Sequence, residues 1–275
     1  MEQHIEMLFE KKRRAIPISM LTAYDFPTAQ LEDQAGVDSI LVGDSVGTNM
    51  LGYASELEVT MADMVHHVAA VKRGTKRAYL IADLPFGSVN EPLEAFENSS
   101  RLLDAGAECV KLEGWSEKVD IISYLAKKGI EVCAHIGYNP QIHGPKPKTF
   151  GKDAPQALEL IKSAIALENA GAVLLVIEKV PEEVSEIISK KLTIPVIGIG
   201  SGRKCDGQVL VVNDILGVTP MALKHAKKYM DYRTLAAEAI KSYVNEVGSH
   251  VFPSDENSRH IDPVELEKVS SMGHL

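Results

Sequence analysis

Short apolar runs punctuate the chain and alternate with longer stretches whose apolar positions recur at three- and four-residue spacing. The short runs read as buried parallel strands and the longer ones as amphipathic helices. In chain order, strands are predicted at 18–22, 39–42, 78–82, 109–112, 131–134, 173–177, 195–199 and 208–212. Helices are predicted at 1–15, 26–35, 61–73, 91–105, 117–128, 154–170 and 181–191, with a last helical region over about 221–247. Pro27 falls in a first turn, where its missing N–H is harmless, and Thr60 stands where it can cap the helix after it. Gly36, Gly106, Gly129 and Gly171 stand where helices are expected to stop. This alternation, with no break in composition, predicts one α/β domain over residues 1–252, a (β/α)8 TIM-type barrel with an N-terminal helix. Residues 253–275 read as a polar C-terminal tail. A doubly wound sheet would carry a glycine-rich fingerprint after its first strand, but Ala23-Tyr24-Asp25-Phe26-Pro27 stands there. One irregularity breaks the metre: residues 200–207 are too few to hold a full helix between the seventh and eighth strands.

Several of the apolar strands end in polar groups. Residues 39–42 run into Gly43-Asp44-Ser45, residues 79–82 into Asp83, and Cys109-Val110 into Lys111-Leu112-Glu113. Residues 132–134 run into His135 and residues 174–177 into Glu178. Parallel α/β architectures hold their ligands at these strand ends, so the five together predict one convergent site. Asp44 and Asp83 end neighbouring strands, and a cation between them resolves their repulsion; hard oxygen donors favour Mg²⁺. Lys111 and Glu113 are two apart and share a strand face. There Lys111 offers a cation to an anionic substrate, and Glu113 extends the acidic shell directly or through water. His135, taken alone, reads more readily as a hydrogen-bonded histidine than as a metal ligand. Salt bridges at a barrel rim are the competing reading for each residue singly.

Composition narrows the function classes. A net charge of −9 argues against a broad nucleic-acid footprint. The basic run Lys11-Lys12-Arg13-Arg14 reads as a solvated face near a helix C-terminus. Three cysteines, Cys109, Cys133 and Cys205, two of them in predicted core strands, point to reduced thiols in a cytoplasmic protein. The charged N-terminus does not read as a signal peptide, and no apolar run approaches a membrane span of roughly 20 residues.

Beyond the spacing, the residues resemble a known family. Met-Leu-Thr-Ala-Tyr-Asp at 20–25, Ile-Leu-Val-Gly-Asp-Ser at 40–45, Ala-Asp-Leu-Pro-Phe-Gly at 82–87 and Val-Lys-Leu-Glu-Gly at 110–114 carry the likeness. His135-Ile136-Gly137, Pro140-Gln141 and Cys-Asp-Gly-Gln-Val-Leu-Val at 205–211 continue it in order. The chain is similar to ketopantoate hydroxymethyltransferases. The resemblance implies a (β/α)8 barrel, usually assembled as a homo-oligomeric decamer, with Mg²⁺ as cofactor and 5,10-methylenetetrahydrofolate as cosubstrate. It implies Asp44 and Asp83 as Mg²⁺ ligands, with Glu113 holding the ion directly or through water. It implies Ser45 and Lys111 on the keto acid, His135 lining the pocket and Glu178 as general base. The bland alternative for Glu178 is a rim carboxylate paired with Lys179 or Lys204.

The chain departs from the family after the fifth strand. The usual glycine-rich lid gives way to Ile142-His143-Gly144-Pro145-Lys146-Pro147-Lys148-Thr149-Phe150-Gly151-Lys152, and Asn139 stands before Pro140 where the family carries Thr. Lids exclude water and complete sites, so this change bears on folate handling first. Two other readings compete: an Mg²⁺-dependent oxo-acid C–C lyase of related architecture, and a non-catalytic keto-acid sensor that keeps the acidic cluster.

Overall fold

The computed structural model describes residues 2–144, 146, 148–220 and 223–273. The chain packs as two units, Met1–Lys228 and Tyr229–Leu275. The sequence expectation put the boundary at residue 252.

In the first unit eight parallel strands close into a barrel in chain order, as the alternation predicts. They are β1 (Ile18–Thr22), β2 (Ser39–Val42), β3 (Tyr79–Asp83), β4 (Cys109–Glu113), β5 (Glu131–Gly137), β6 (Leu174–Glu178), β7 (Val196–Ile199) and β8 (Gly207–Leu210). Helix α1 (Glu2–Arg13) precedes them, and α2 (Phe26–Ala35), α3 (Met61–Gly74), α4 (Pro92–Asp104) and α5 (Val119–Lys127) follow the first four strands. A single turn, α6 (Pro140–His143), leads to α7 (Ala154–Asn169); α8 (Glu182–Lys191) follows β6 and the short α9 (Val212–Leu216) follows β8. No helix joins β7 to β8, as the short spacing requires.

Local chemistry sets the boundaries. The Asp25 side chain accepts the Thr28 N–H at 2.8 Å and starts α2. Thr60 and Asp63 form a reciprocal capping box at the head of α3. Most predicted bounds move by a residue or two, and β5 by three. β5 runs to Gly137 rather than residue 134, and β8 stops at Leu210 because Val212 already begins α9. The predicted helix at 221–247 starts later: residues 221 and 222 lie outside the described residues, 223–231 are irregular, and α10 covers Tyr232–Gly248.

Side chains alternate across the barrel wall. One face of the strands packs outward on the helices, with Ile40, Leu80, Val110, Val132 and Leu175 fully buried. The other face fills the interior, with Met20, Tyr79, Ile81, Cys109, Cys133, Leu174 and Ile197. Ile5 and Leu8 of α1 join this interior cluster at the N-terminal ends of the strands. Burying such side chains contributes about 1.5–3 kcal/mol each. The basic run is less solvated than expected. Lys11 pairs with Asp38 at 2.5 Å and Lys12 with Asp206 at 2.6 Å, which ties α1 to the strand starts. These side chains and ion pairs fill the N-terminal end of the barrel.

The second unit holds α10 and α11 (Pro263–Met272), and neither helix buries a residue. Among the described residues no helix is long and apolar enough to cross a membrane.

Candidate active site

All seven strand-end residues singled out in the sequence line one cavity of about 440 Å³. Parallel register explains the convergence. Asp83 is level with Lys111, Glu113 with His135, and Gly137 with Glu178. Asp44 and Ser45 follow β2 in a tight turn. A Cβ on Gly43 would meet the Ser45 Oγ at 2.9 Å and the Asp83 Oδ2 at 3.4 Å, so only glycine lets this backbone come so close. Gly137 has φ +91, and a Cβ there would sit 2.2 Å from the Glu178 carbonyl oxygen. These two glycines bring β2 against β3 and β5 against β6 at the mouth.

The floor is a buried ionic network. Lys111 Nζ donates to Asp83 Oδ1 at 2.7 Å and stands 4.0 Å from Glu113 Oε1. The Asp44 backbone N–H donates to Asp83 Oδ2 at 3.0 Å. His135 lies between two carboxylates, with Nδ1 3.2 Å from Glu113 Oε1 and Nε2 3.5 Å from Glu178 Oε2. Neither nitrogen closes good hydrogen-bond geometry. The Tyr24 hydroxyl and Ser45 Oγ share a hydrogen bond of 2.8 Å, which orients the serine. Lys204 stands by Glu186, 3.9 Å away, so the partner that Glu178 meets is His135.

Burial and then the charges of Asp83 and Glu113 push the Asp44 carboxyl well above the usual carboxylate range. Burial opposes the charge on Lys111, but Asp83, Glu113 and Asp44 outweigh it and push that ammonium up. Burial likewise opposes charge on Glu113, and His135 and Lys111 then hold it below its ordinary value. On His135, burial is overcome by Glu113 and Glu178, and the imidazole is pushed up. Asp44, Asp83 and Glu113 all act on Lys111, and the raised Asp44 reflects its burial and then the repulsion from Asp83 and Glu113 that Lys111 only partly offsets. A hard divalent cation fits this oxygen donor set. Among the described residues the acids are not gathered into a finished metal shell. Lys111 holds one oxygen of Asp83 instead.

Pattern reading passed over four residues of this site. Gln141, on α6, donates from Nε2 to Asp44 Oδ2 at 2.7 Å. Asn139 is fully buried, donates to the His135 carbonyl oxygen at 3.0 Å and accepts from Trp115 Nε1 at 3.2 Å. Tyr24 acts through Ser45. Tyr24 and Gln141 stood in family-matching segments and Asn139 as a departure from them, but spacing alone gave none of them a partner at the site. Lys179, directly after Glu178, has φ +50, sparsely populated for a side chain of this kind. Its carbonyl oxygen accepts the Phe150 N–H at 3.0 Å, so the segment after α6 docks beside the mouth.

Comparison with known proteins agrees with this geometry. The family model described as ketopantoate hydroxymethyltransferase matches residues 2–255. A 3-methyl-2-oxobutanoate hydroxymethyltransferase of Acetivibrio thermocellus is 45% identical over 272 residues, covering 94% of this chain and 95% of the relative. One of Pseudothermotoga lettingae is 47% identical over 255 residues, covering 90% and 96%. Solved structures share the fold at low identity. A phosphonopyruvate hydrolase in complex with oxalate and Mg²⁺ has a TM-score of 0.60 at 14% identity, covering 98% of this chain and 96% of that one. A 2,3-dimethylmalate lyase has a TM-score of 0.58 at 15% identity, covering 98% and 95%. The chain belongs to the ketopantoate hydroxymethyltransferase family and carries that family's transferase activity.

Proposed function

We propose that the chain moves a hydroxymethyl unit from 5,10-methylenetetrahydrofolate to 3-methyl-2-oxobutanoate with Mg²⁺, giving 2-dehydropantoate through an enolate. The observation that carries this reading is the crowding of Asp44, Asp83 and Glu113 around Lys111, with Glu178 beside His135 at the same mouth. Asp44 and Asp83 would hold the ion, and Glu113 would complete its acidic shell directly or through water. Bound there, Mg²⁺ supplies Lewis-acid polarisation of the keto acid oxygens.

The chain's own residues do the rest. Lys111 presents its ammonium to the anionic end of the substrate, and Ser45 offers its hydroxyl beside it. Glu178 takes the proton from C3; its side chain lines the cavity and, 14% exposed, can pass the proton on to solvent. His135 lines the wall and keeps Glu113 and Glu178 apart. The enolate carbon then attacks the one-carbon donor.

The lyase alternative has only fold likeness at 14–15% identity behind it, against relatives at 45–47% identity that are named transferases. A homo-oligomer in the cytoplasm is part of the same reading, and exposed apolar residues along α10 support assembly. A coupled assay with 3-methyl-2-oxobutanoate and methylenetetrahydrofolate, with and without Mg²⁺, tests the function. Turnover that requires all three is expected. Turnover without the folate, or none with all three present, contradicts the reading.

A further inference from the structure

Gln141 lies on a helix of one turn, and only 9% of its surface is exposed. Its backbone N–H donates to Glu113 Oε2 at 2.9 Å. Its side-chain Nε2 donates to Asp44 Oδ2 at 2.7 Å and to the Leu84 carbonyl oxygen at 3.1 Å, which uses both amide hydrogens. Leu84 directly follows Asp83, the last residue of β3. One residue beyond β5 therefore grips the ends of β2, β3 and β4. It fixes one oxygen of Asp44 and one of Glu113, while both acids line the cavity. The other oxygen of Glu113 faces His135 and Lys111.

The chemistry of the amide suits this place. A lysine here would cancel the negative charge that a cation needs. A carboxylate would set a third negative charge beside Asp44 and Glu113, within hydrogen-bond distance of Asp44. A neutral double donor aims the carboxylates without changing the charge balance, and hydrogen bonds to ionised acceptors are the strong ones. The same residue belongs to the turn that opens the 144–153 segment. The anchor of that segment is thus the acidic cluster itself.

We propose that Gln141 is a positioning residue: it sets Asp44 and Glu113 for a divalent cation and the keto acid, and it ties α6 to their occupancy. The inference rests on the functional reading above. Partners that orient ligating side chains cost about ten- to hundredfold in metal affinity when removed. Full-length wild type and Gln141→Met, which keeps the length and loses both donors, are titrated with Mn²⁺ followed by EPR, and both are melted without cation. The Mn²⁺ affinity of the variant is expected to fall about ten- to hundredfold, with a cation-free melt close to wild type. Wild-type affinity in Gln141→Met overturns the proposal. So does a lower melting temperature with unchanged affinity, because that is the mark of a packing role. Wild type that binds no Mn²⁺ overturns the functional reading along with this one, so the two failures are distinguishable. Hydrogen exchange on wild type needs no variant. Exchange at the Gln141 backbone N–H, which Glu113 accepts, is expected to slow when Mg²⁺ and 3-methyl-2-oxobutanoate are added together. Unchanged exchange counts against the coupling whether or not the variant folds.

Discussion

Glu32, away from the site, is a buried residue whose polar group finds no relief. On α2, Leu31 faces solvent at 68% exposure, while Glu32 is 6% exposed and neither of its carboxyl oxygens finds a partner. Burial, then the charge of Asp25, pushes its pKa up to about 8 from an ordinary 4.5. The folded chain keeps the carboxyl neutral, while the unfolded chain ionises it near 4.5. The resulting penalty is absent at pH 4, grows as pH rises through 4.5 and is complete near pH 8. Glu32→Gln removes the ionisation at nearly constant shape. It is expected to leave stability at pH 4 nearly unchanged and to raise it at pH 8 by a few kcal/mol, at most about 4. Urea unfolding at the two pH values checks this, and equal stability change at both contradicts it. The sequence hid this residue, since leucine inward and glutamate outward is the ordinary reading of such a pair. Gln141 was hidden for another reason: its partner Asp44 is 97 positions away, and only the folded mouth brings them together. Asp44, Asp83, Lys111, Glu113, His135 and Glu178 were legible because each stands at or near the C-terminal end of a strand, and strand order in a barrel places such ends side by side.

At the scale of elements, the segment that the sequence reading set apart from the family lies between β5 and α7, beside the mouth. His143 packs on Phe150 with ring centroids 4.4 Å apart, and Phe150 meets Trp115 edge-on at 5.6 Å. Lys148 lies over the Phe150 ring at 4.8 Å, while Lys146 and Lys152 are exposed. The aromatic cluster holds the base of the segment and leaves its lysines facing solvent, where they can draw the glutamyl tail of a folate. The triple change Lys146→Gln, Lys148→Gln and Lys152→Gln is expected to raise the folate KM and flatten its salt dependence, with the keto acid KM unchanged. A folate KM equal to wild type, with equal salt dependence, contradicts this. The loop composition announced an exposed, basic segment. It did not announce α6, which is too short to leave a periodic pattern and is held by bonds to Glu113 and Asp44.

Across the whole molecule, the parallel strands bring their polar C-terminal ends to one mouth of the barrel. α1 closes the N-terminal end with Ile5 and Leu8, so the polar strand ends gather at the other. In the second unit, α10 exposes Leu235, Ile240, Tyr243 and Val244. Under the proposed homo-oligomer these apolar residues are candidates for the contact between copies. Sedimentation equilibrium is expected to return a multiple of the chain mass, and Leu235→Lys with Ile240→Lys is expected to shift it toward smaller species. A monomeric wild type contradicts assembly. The central claim is that this mouth makes an enolate, with Glu178 as its base. Proton abstraction precedes any contact with the folate, so it is visible without it. In D₂O with Mg²⁺, NMR is expected to show wild type exchanging deuterium into C3 of 3-methyl-2-oxobutanoate. Glu178→Gln is expected to bind the keto acid and exchange about 10²–10⁴-fold more slowly. Wild-type exchange no faster than the Mg²⁺-only control, or equal exchange in the two proteins, would contradict the account.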